Sequence, residues 1–338
     1  MQIISRLFAG AVTLGAAFIS TSGASSAQES DEIVVYNAQH ESLTQAWADG
    51  FTKDTGIKVT LRNGGDTELG NQLVEEGAAS PADVFLTENS PAMALVDGVG
   101  LFASVNPDTL AQVPENFRSA TGHWVGIAAR STVFAYNKQR LTEEQLPKSI
   151  LDLAGANWKG RWAASPSGAD FQAIVGAMLV LKGEDVTASW LKAMKDGAVA
   201  YRGNGAAMKG VNAGEVDGAI IYHYYYFGDQ AKTGENSKNI ALHYFRGQDP
   251  GAFLSTSGGG VLASSKHQQQ AQAFLKWIAG PAGQAVLRDG TSFEYAVGTG
   301  ADSNSKLVPI AELQIPTVDS SKLNSWKVTE LMTAAGLL

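Results

Sequence analysis

Apolar positions along the chain recur with two alternating periods, and their order outlines an architecture. Glu32–Asn37 is a short β-branched run of the buried-strand kind. Residues 42–54 follow with Leu43, Trp47 and Phe51 at i, i+4 and i+8, one face of a helix. Residues 57–61 predict a second strand, 67–76 a helix closed by Gly77, and 82–87 a third strand. After Glu88 and Asn89, Ser90 is placed to cap a helix with Pro91 at its first position. This alternation predicts a parallel, doubly wound α/β lobe.

Residues 126–137 form a longer extended stretch, suited to carrying the chain from one lobe to another. A second alternating set then begins. It predicts strands at 160–165, 199–202 and 218–222, and helices at 171–181, 186–195 and 206–213. Residues 239–264 read as further strands broken by a turn at Gly258, Gly259 and Gly260. Gln268–Ala279 is a helix with Ala271, Phe274, Leu275 and Ile278 on one stripe, and the tail 306–338 ends in a short helix.

The first residues read as a processing signal. Arg6 is the only charged side chain before position 28, residues 7–19 are apolar, and Ser25-Ser26-Ala27 supplies small residues for cleavage. Residues 1–27 are thus expected to leave a mature chain starting at Gln28, exported to the periplasm. No other apolar run is long enough to span a bilayer. With no cysteine, the chain has no disulfide scaffold and no thiolate metal site. The formal charge is −8, and Lys and Arg are scattered, which argues against nucleic acid as a partner.

Candidate chemistry falls where open α/β sheets place their ligands, outside the carboxyl ends of strands. His40 follows the first strand by three residues, Glu88 follows the third, and Tyr224 and Tyr225 follow the strand at 218–222. Taken alone, three consecutive tyrosines are explained by packing or by an exposed aromatic ledge. Together with His40 and Glu88 they make a hard, oxygen-rich donor set, suited to a small, highly charged cation rather than to zinc. Two phenolates and one carboxylate would balance the charge of Fe³⁺, and a neutral imidazole adds a donor without disturbing that balance. The small-residue turn from Ser165 to Asp170 is either an ordinary helix cap or a place where backbone N–H groups hold an anion.

These residues carry a resemblance. The stretches VYNAQH at 35–40, SPADVFLTE at 80–88, SPSGA at 165–169, DGAIIYHYY at 217–225 and DPGA at 249–252 are similar to those of bacterial periplasmic ferric-ion-binding proteins. Those proteins are the substrate-binding components of iron(III) ABC transporters. The resemblance runs in order through the mature chain. It implies a two-lobed type II periplasmic binding protein fold, with doubly wound mixed sheets, a hinge and an interlobe cleft. Residues 28–130 with about 255–305 would form the first lobe, and 131–254 with about 306–338 the second. It also implies iron held by His40, Glu88, Tyr224 and Tyr225. A synergistic anion (phosphate, carbonate or citrate) would rest on Ser167, Gly168, Ala169, Asn204 and Asn89. The expected partners are ferric ion and an inner-membrane ABC permease, the expected state is a monomer, and no enzyme activity is implied.

Two positions depart from the family pattern. Tyr222 stands where an anion-binding Asn is common, and Asn89 where Gln is common, which puts the anion in question. Two rival readings remain: the same fold serving an oxyanion or small organic cation, or a secreted metal-dependent hydrolase using Asp170 or the acidic residues near 66–68 as base. His123, His223, His243 and His267 stand alone and read as structural or solvent-facing. Gly258–Gly260 lacks dinucleotide-loop spacing, and the common nucleotide and hydrolase signatures are missing.

Overall fold

A computed structural model describes residues 32–338, so the expected processing signal lies outside the described residues. The described chain is one compact unit. Its strands are β1 (Glu32–Asn37), β2 (Lys58–Asn63), β3 (Val84–Leu86), β4 (Trp124–Asn137), β5 (Trp162–Ala164), β6 (Ala198–Ala200), β7 (Gly218–Tyr222), β8 (Ile240–His243) and β9 (Leu254–Val261). The helices are α1 (Glu41–Thr55), α2 (Asp66–Glu76), α3 (Ser90–Gly98), α4 (Pro107–Leu110), α5 (Ala169–Lys182), α6 (Glu184–Gly197), α7 (Asn204–Ala213), α8 (Tyr224–Lys232), α9 (Gln268–Ala279), α10 (Pro281–Asp289), α11 (Ile310–Leu313) and α12 (Ser325–Ala334).

The strand order is β2-β1-β3-β9-β4-β7-β5-β6, with β8 also on β4. Neighbours β1, β2 and β3 run parallel, as do β5, β6 and β7, while β9 and β4 run antiparallel to what flanks them. The sheet is therefore mixed, where simple alternation predicted a parallel one. The long strand β4 joins the two parallel sets. Its Trp124–Ser131 stretch pairs with β9, and its Thr132–Tyr136 stretch pairs with β7. All fourteen of its residues are buried, which is why it reads as an unbroken run rather than an alternation.

Helices cover both faces. The stripe of α1 buries Leu43, Trp47 and Phe51, and Trp47 Nε1 donates to Gly283 O at 2.8 Å, tying α1 to α10. Helices α9 and α10 pack on the β1–β9 side, whereas α12 packs on α5 and α6.

Two local expectations fail for tertiary reasons. Ser90 does not cap α3. It is the first helical residue, and its hydroxyl donates to Thr256 O across to β9 at 2.7 Å. Gly258, Gly259 and Gly260 form no turn but lie within β9. A Cβ on them would meet Met93, Leu275 and Phe102 at 2.3, 2.7 and 2.7 Å, so glycine lets helices and strand approach closely.

Candidate metal site

Four loops bring the donor residues to the carboxyl ends of β1, β3, β5 and β7. His40 occupies the N-cap of α1, three residues beyond β1. Glu88 lies in the short turn between β3 and α3. Tyr224 and Tyr225 lie just past the strand, as expected, but in a helix that the sequence reading did not place. They open helix α8, whose first turn follows β7 directly. The helical start turns both rings to the same side, and they stack with centroids 4.3 Å apart.

The predicted metal residues come together. His40 Nε2 is 2.9 Å from Glu88 Oε1, and its ring lies 4.9 Å from the Tyr224 ring, edge on. His40 and Glu88 keep 29% and 22% side-chain exposure, so the cluster remains reachable from solvent. An open depression of about 590 Å³ lies beside His40, lined by Ser42, Gln45 and Asn63 among others. Among the described residues no group of three His, Asp or Glu side chains is arranged to hold a metal.

Two of the residues expected to hold an anion, Asn89 and Asn204, are already engaged, and the group that engages them is Asp170. Asn204 Nδ2 donates to Asp170 Oδ2 at 2.8 Å, and Asn89 Nδ2 donates to Asp170 Oδ1 at 3.2 Å. Tyr224 and Tyr225 each donate their hydroxyl to Asp170 Oδ2 at 3.4 Å. Gly168 N–H donates to Ser165 O, Ala169 is the first residue of α5, and Ser167 is exposed. Tyr222 is fully buried and donates to Asn89 Oδ1 at 3.2 Å and to Asp170 O at 3.3 Å. Asn89 also holds Asp66, which in turn accepts from Glu88 N–H at 2.9 Å.

Three further residues belong to the cluster and have no motif that would have singled them out. Arg130, fully buried in the middle of β4, pairs through Nη2 with Glu294 Oε2 at 3.1 Å. Its Nη1 donates to the Glu88 backbone carbonyl, and its guanidinium sits 5.7 Å over the Tyr224 ring. Glu294 Oε1 lies 2.9 Å from His40 Nδ1. Gln39 donates to Glu294 and Ser257 and accepts from Arg130. A lone Arg in an apolar strand was the available signal; Glu294 had none.

Charges in this cluster offset one another. Burial would push Glu294 up, but the Arg130 guanidinium and the bond to His40 hold it down at about 2. Burial pulls His40 down, yet hydrogen bonds to Glu294 and Glu88 outweigh it and hold it at about 9. Asp66 is pushed up to about 8 by burial and by the nearby Glu88, and Asp170 moves up for the same two reasons. Burial and the adjacent Asp170 raise Tyr224 well above the usual phenol range and Tyr225 to about 12. At neutral pH both phenols are therefore protonated and His40 is an imidazolium.

The comparisons agree with one another. The sequence profile described as bacterial extracellular solute-binding protein matches residues 79–324. The Fe(3+)-binding periplasmic protein of Serratia marcescens is 68% identical over 316 residues, covering 94% of each chain. The major ferric iron-binding protein of Neisseria gonorrhoeae is 36% identical, covering 90% of this chain and 93% of its own. Iron-bound HitA from Pseudomonas aeruginosa superposes with a TM-score of 0.85 at 39% identity, over 90% of this chain and 99% of its own. A Trichodesmium protein solved with iron and citrate ligands superposes at 0.80 with 26% identity, over 91% and 100%.

Proposed function

Since the chain belongs to the bacterial extracellular solute-binding protein family, we propose that it is the periplasmic ferric-iron receptor of an ABC uptake system. It captures Fe³⁺ between two lobes and passes it to an inner-membrane permease, without a covalent step. Residues 1–27 act as the cleaved export signal. The lobes are 28–130 with about 255–305 and 131–254 with about 306–338. Supporting this division, α9 and α10 pack beside β1 and β9, while α12 packs on α5 and α6. Iron binding draws the lobes together by hinge closure about β4 and β9, and the receptor acts as a monomer.

The observation that carries this reading is the convergence of His40, Glu88, Tyr224 and Tyr225 on one partly exposed point. Asp170 supplies the further oxygen that an external anion would otherwise bring, because it already occupies the donors of Asn89 and Asn204. Ser167, Gly168 and Ala169 then serve as the turn that starts α5, with phosphate, carbonate or citrate as an auxiliary partner. The same arrangement disfavours an oxyanion as cargo, since Asp170 already takes the amide donors where the anion would rest. Loading with Fe³⁺-citrate should give a coloured protein, from phenolate-to-iron charge transfer, with one iron per chain by metal analysis. A colourless protein that still binds iron would point to another ligand set, and one that binds none to another cargo.

Two consequences concern binding strength and protons. His40→Ala should weaken ferric binding by at least the roughly 10- to 100-fold that loss of an outer partner of a metal costs, yet by less than removal of a phenol, because it deletes a neutral donor and leaves the anionic ones. Competition with citrate measures this; a loss larger than that from removing a phenol would show that charge balance is not the main term. Loading also exchanges protons for the cation. Two phenolic protons, one imidazolium proton and the proton held by the raised Asp170 carboxyl leave as Fe³⁺ enters, so about three to four protons should appear per iron at pH 7. Because the ligands' pKa values fall on binding, ferric affinity climbs as pH rises toward the His40 value of about 9. An indicator dye, corrected for protons taken up by the donor chelator, counts them. Release of one proton or none would sink the tyrosinate assignment.

A further inference from the structure

Residues 293–295 lie where the two halves of the donor set meet. Phe293 has φ of 55°, in the left-handed region that a phenylalanine adopts only at a cost. That turn sends three consecutive side chains to three places. The Phe293 ring lies 5.9 Å from that of Phe227, on the helix that carries the tyrosines. Tyr295 stacks at 4.7 Å on His223, the residue before Tyr224. Glu294 turns inward, fully buried, between His40 and Arg130.

The carboxylate of Glu294 divides its two oxygens. Oε2 accepts from Arg130 Nη2 and Gln39 Nε2, both at 3.1 Å, and Oε1 faces His40 Nδ1 at 2.9 Å. Both ring nitrogens of His40 thus face carboxylates, Nδ1 the fully buried Glu294 and Nε2 the partly exposed Glu88. A carboxylate only accepts hydrogen bonds, so a ring that gives up one proton to a cation keeps the other on Nδ1, against the buried carboxylate, and offers its lone pair from Nε2 on the open side. Arg130 completes the brace, because the same guanidinium holds the Glu88 backbone carbonyl and lies over the Tyr224 ring. A buried ion pair adds little net stability over apolar residues of the same volume, and the Phe293 backbone adds a cost. Folding stability alone does not account for the arrangement.

We propose that Glu294, braced by Arg130, is the positioning residue that fixes the ring and tautomer of His40 so that Nε2 is directed at the ferric ion. The inference rests on the ferric reading above and deepens it. It assigns Glu294 no contact with iron; the carboxylate acts through histidine, as outer carboxylates do in other metal sites.

The experiment is a double-mutant cycle on the full mature protein, using Glu294→Gln, His40→Ala and the pair combined. Ferric affinity is read by competition with citrate, and the iron environment by the visible band and the ferric EPR signal. Glu294→Gln should lose about tenfold in affinity, with an EPR signal shifted toward that of His40→Ala and the tyrosinate band retained. In the His40→Ala background the same change should cost nothing further. A purely structural role predicts losses that multiply in the double variant, and that result would overturn the proposal. So would wild-type affinity in Glu294→Gln. If the glutamine variant does not fold, Glu294→Asp takes its place, keeping the charge beside Arg130 while withdrawing it from His40. A wild-type protein with neither band nor ferric affinity would overturn the ferric reading itself, and this inference with it.

Discussion

Tyr224→Phe is expected to abolish most ferric affinity and to weaken the visible band while leaving the fold intact. The phenol hydroxyl's bond to Asp170 is long, 3.4 Å, so its loss costs the fold little. On the proposed reading it contributes, in the loaded protein, one of the negative charges that balance Fe³⁺. Removing one member of a buried set of opposite charges typically costs about 3–5 kcal/mol, or about 10²- to 10³-fold and beyond in affinity. Tyr225 would retain a single phenolate, so some colour should survive at saturating iron. Citrate competition and thermal melting test the two halves of the statement separately. An unchanged iron titration would remove Tyr224 from the ligand set.

The second large effect concerns Asp170. Asp170→Ala empties the place where Asn89, Asn204 and both phenols converge. In buffer free of coordinating anions, this variant should bind iron about 10²-fold more weakly, on the order of what loss of one buried charge partner costs. Millimolar phosphate or citrate should then recover much of that loss, because the freed amides can hold an exogenous anion in the carboxylate's place. The wild type should respond far less. Equal sensitivity of both proteins to phosphate would mean that an external anion binds despite Asp170, and the internal-carboxylate account would fail.

These expectations share one physical basis. The cluster's own charges lie near neutrality, with two cations, His40 and Arg130, against Glu88 and Glu294, and its phenols are held protonated. On the proposed reading a trivalent ion would enter by displacing protons rather than by filling a preformed anionic hole, whose burial would be costly. The arrangement also explains the raised carboxyls of Asp66 and Asp170. With Glu88 already ionised nearby, further buried negative charge is unfavourable until a cation arrives.

Much of this was legible in the residue order. The alternation of periods 2 and 3.6 follows from which faces are buried, so β1, α1, β3, α5, β7 and α9 could be placed before any coordinates. His40 and Glu88 could be found because each sits just past an apolar run, where α/β sheets expose their loops. Other features could not be read this way. The tyrosines looked like a strand end because Tyr favours strands locally, but the chain turns into α8 at His223, where the rings pack on His40 and on one another. Gly258–Gly260 looked like a turn, because nothing local reveals that Met93, Leu275 and Phe102 will press against that strand.

Local pattern thus determined the kind of elements, their order and the donor types, since each depends on neighbours within one or two turns of chain. Only the folded chain decided which carboxylates serve the cluster. Glu294 reaches His40 from 254 positions away, and Asp170 reaches Asn89 across 81. Such pairings are set by the crossing of β4 between two parallel sets, and spacing along the sequence carries no trace of that geometry.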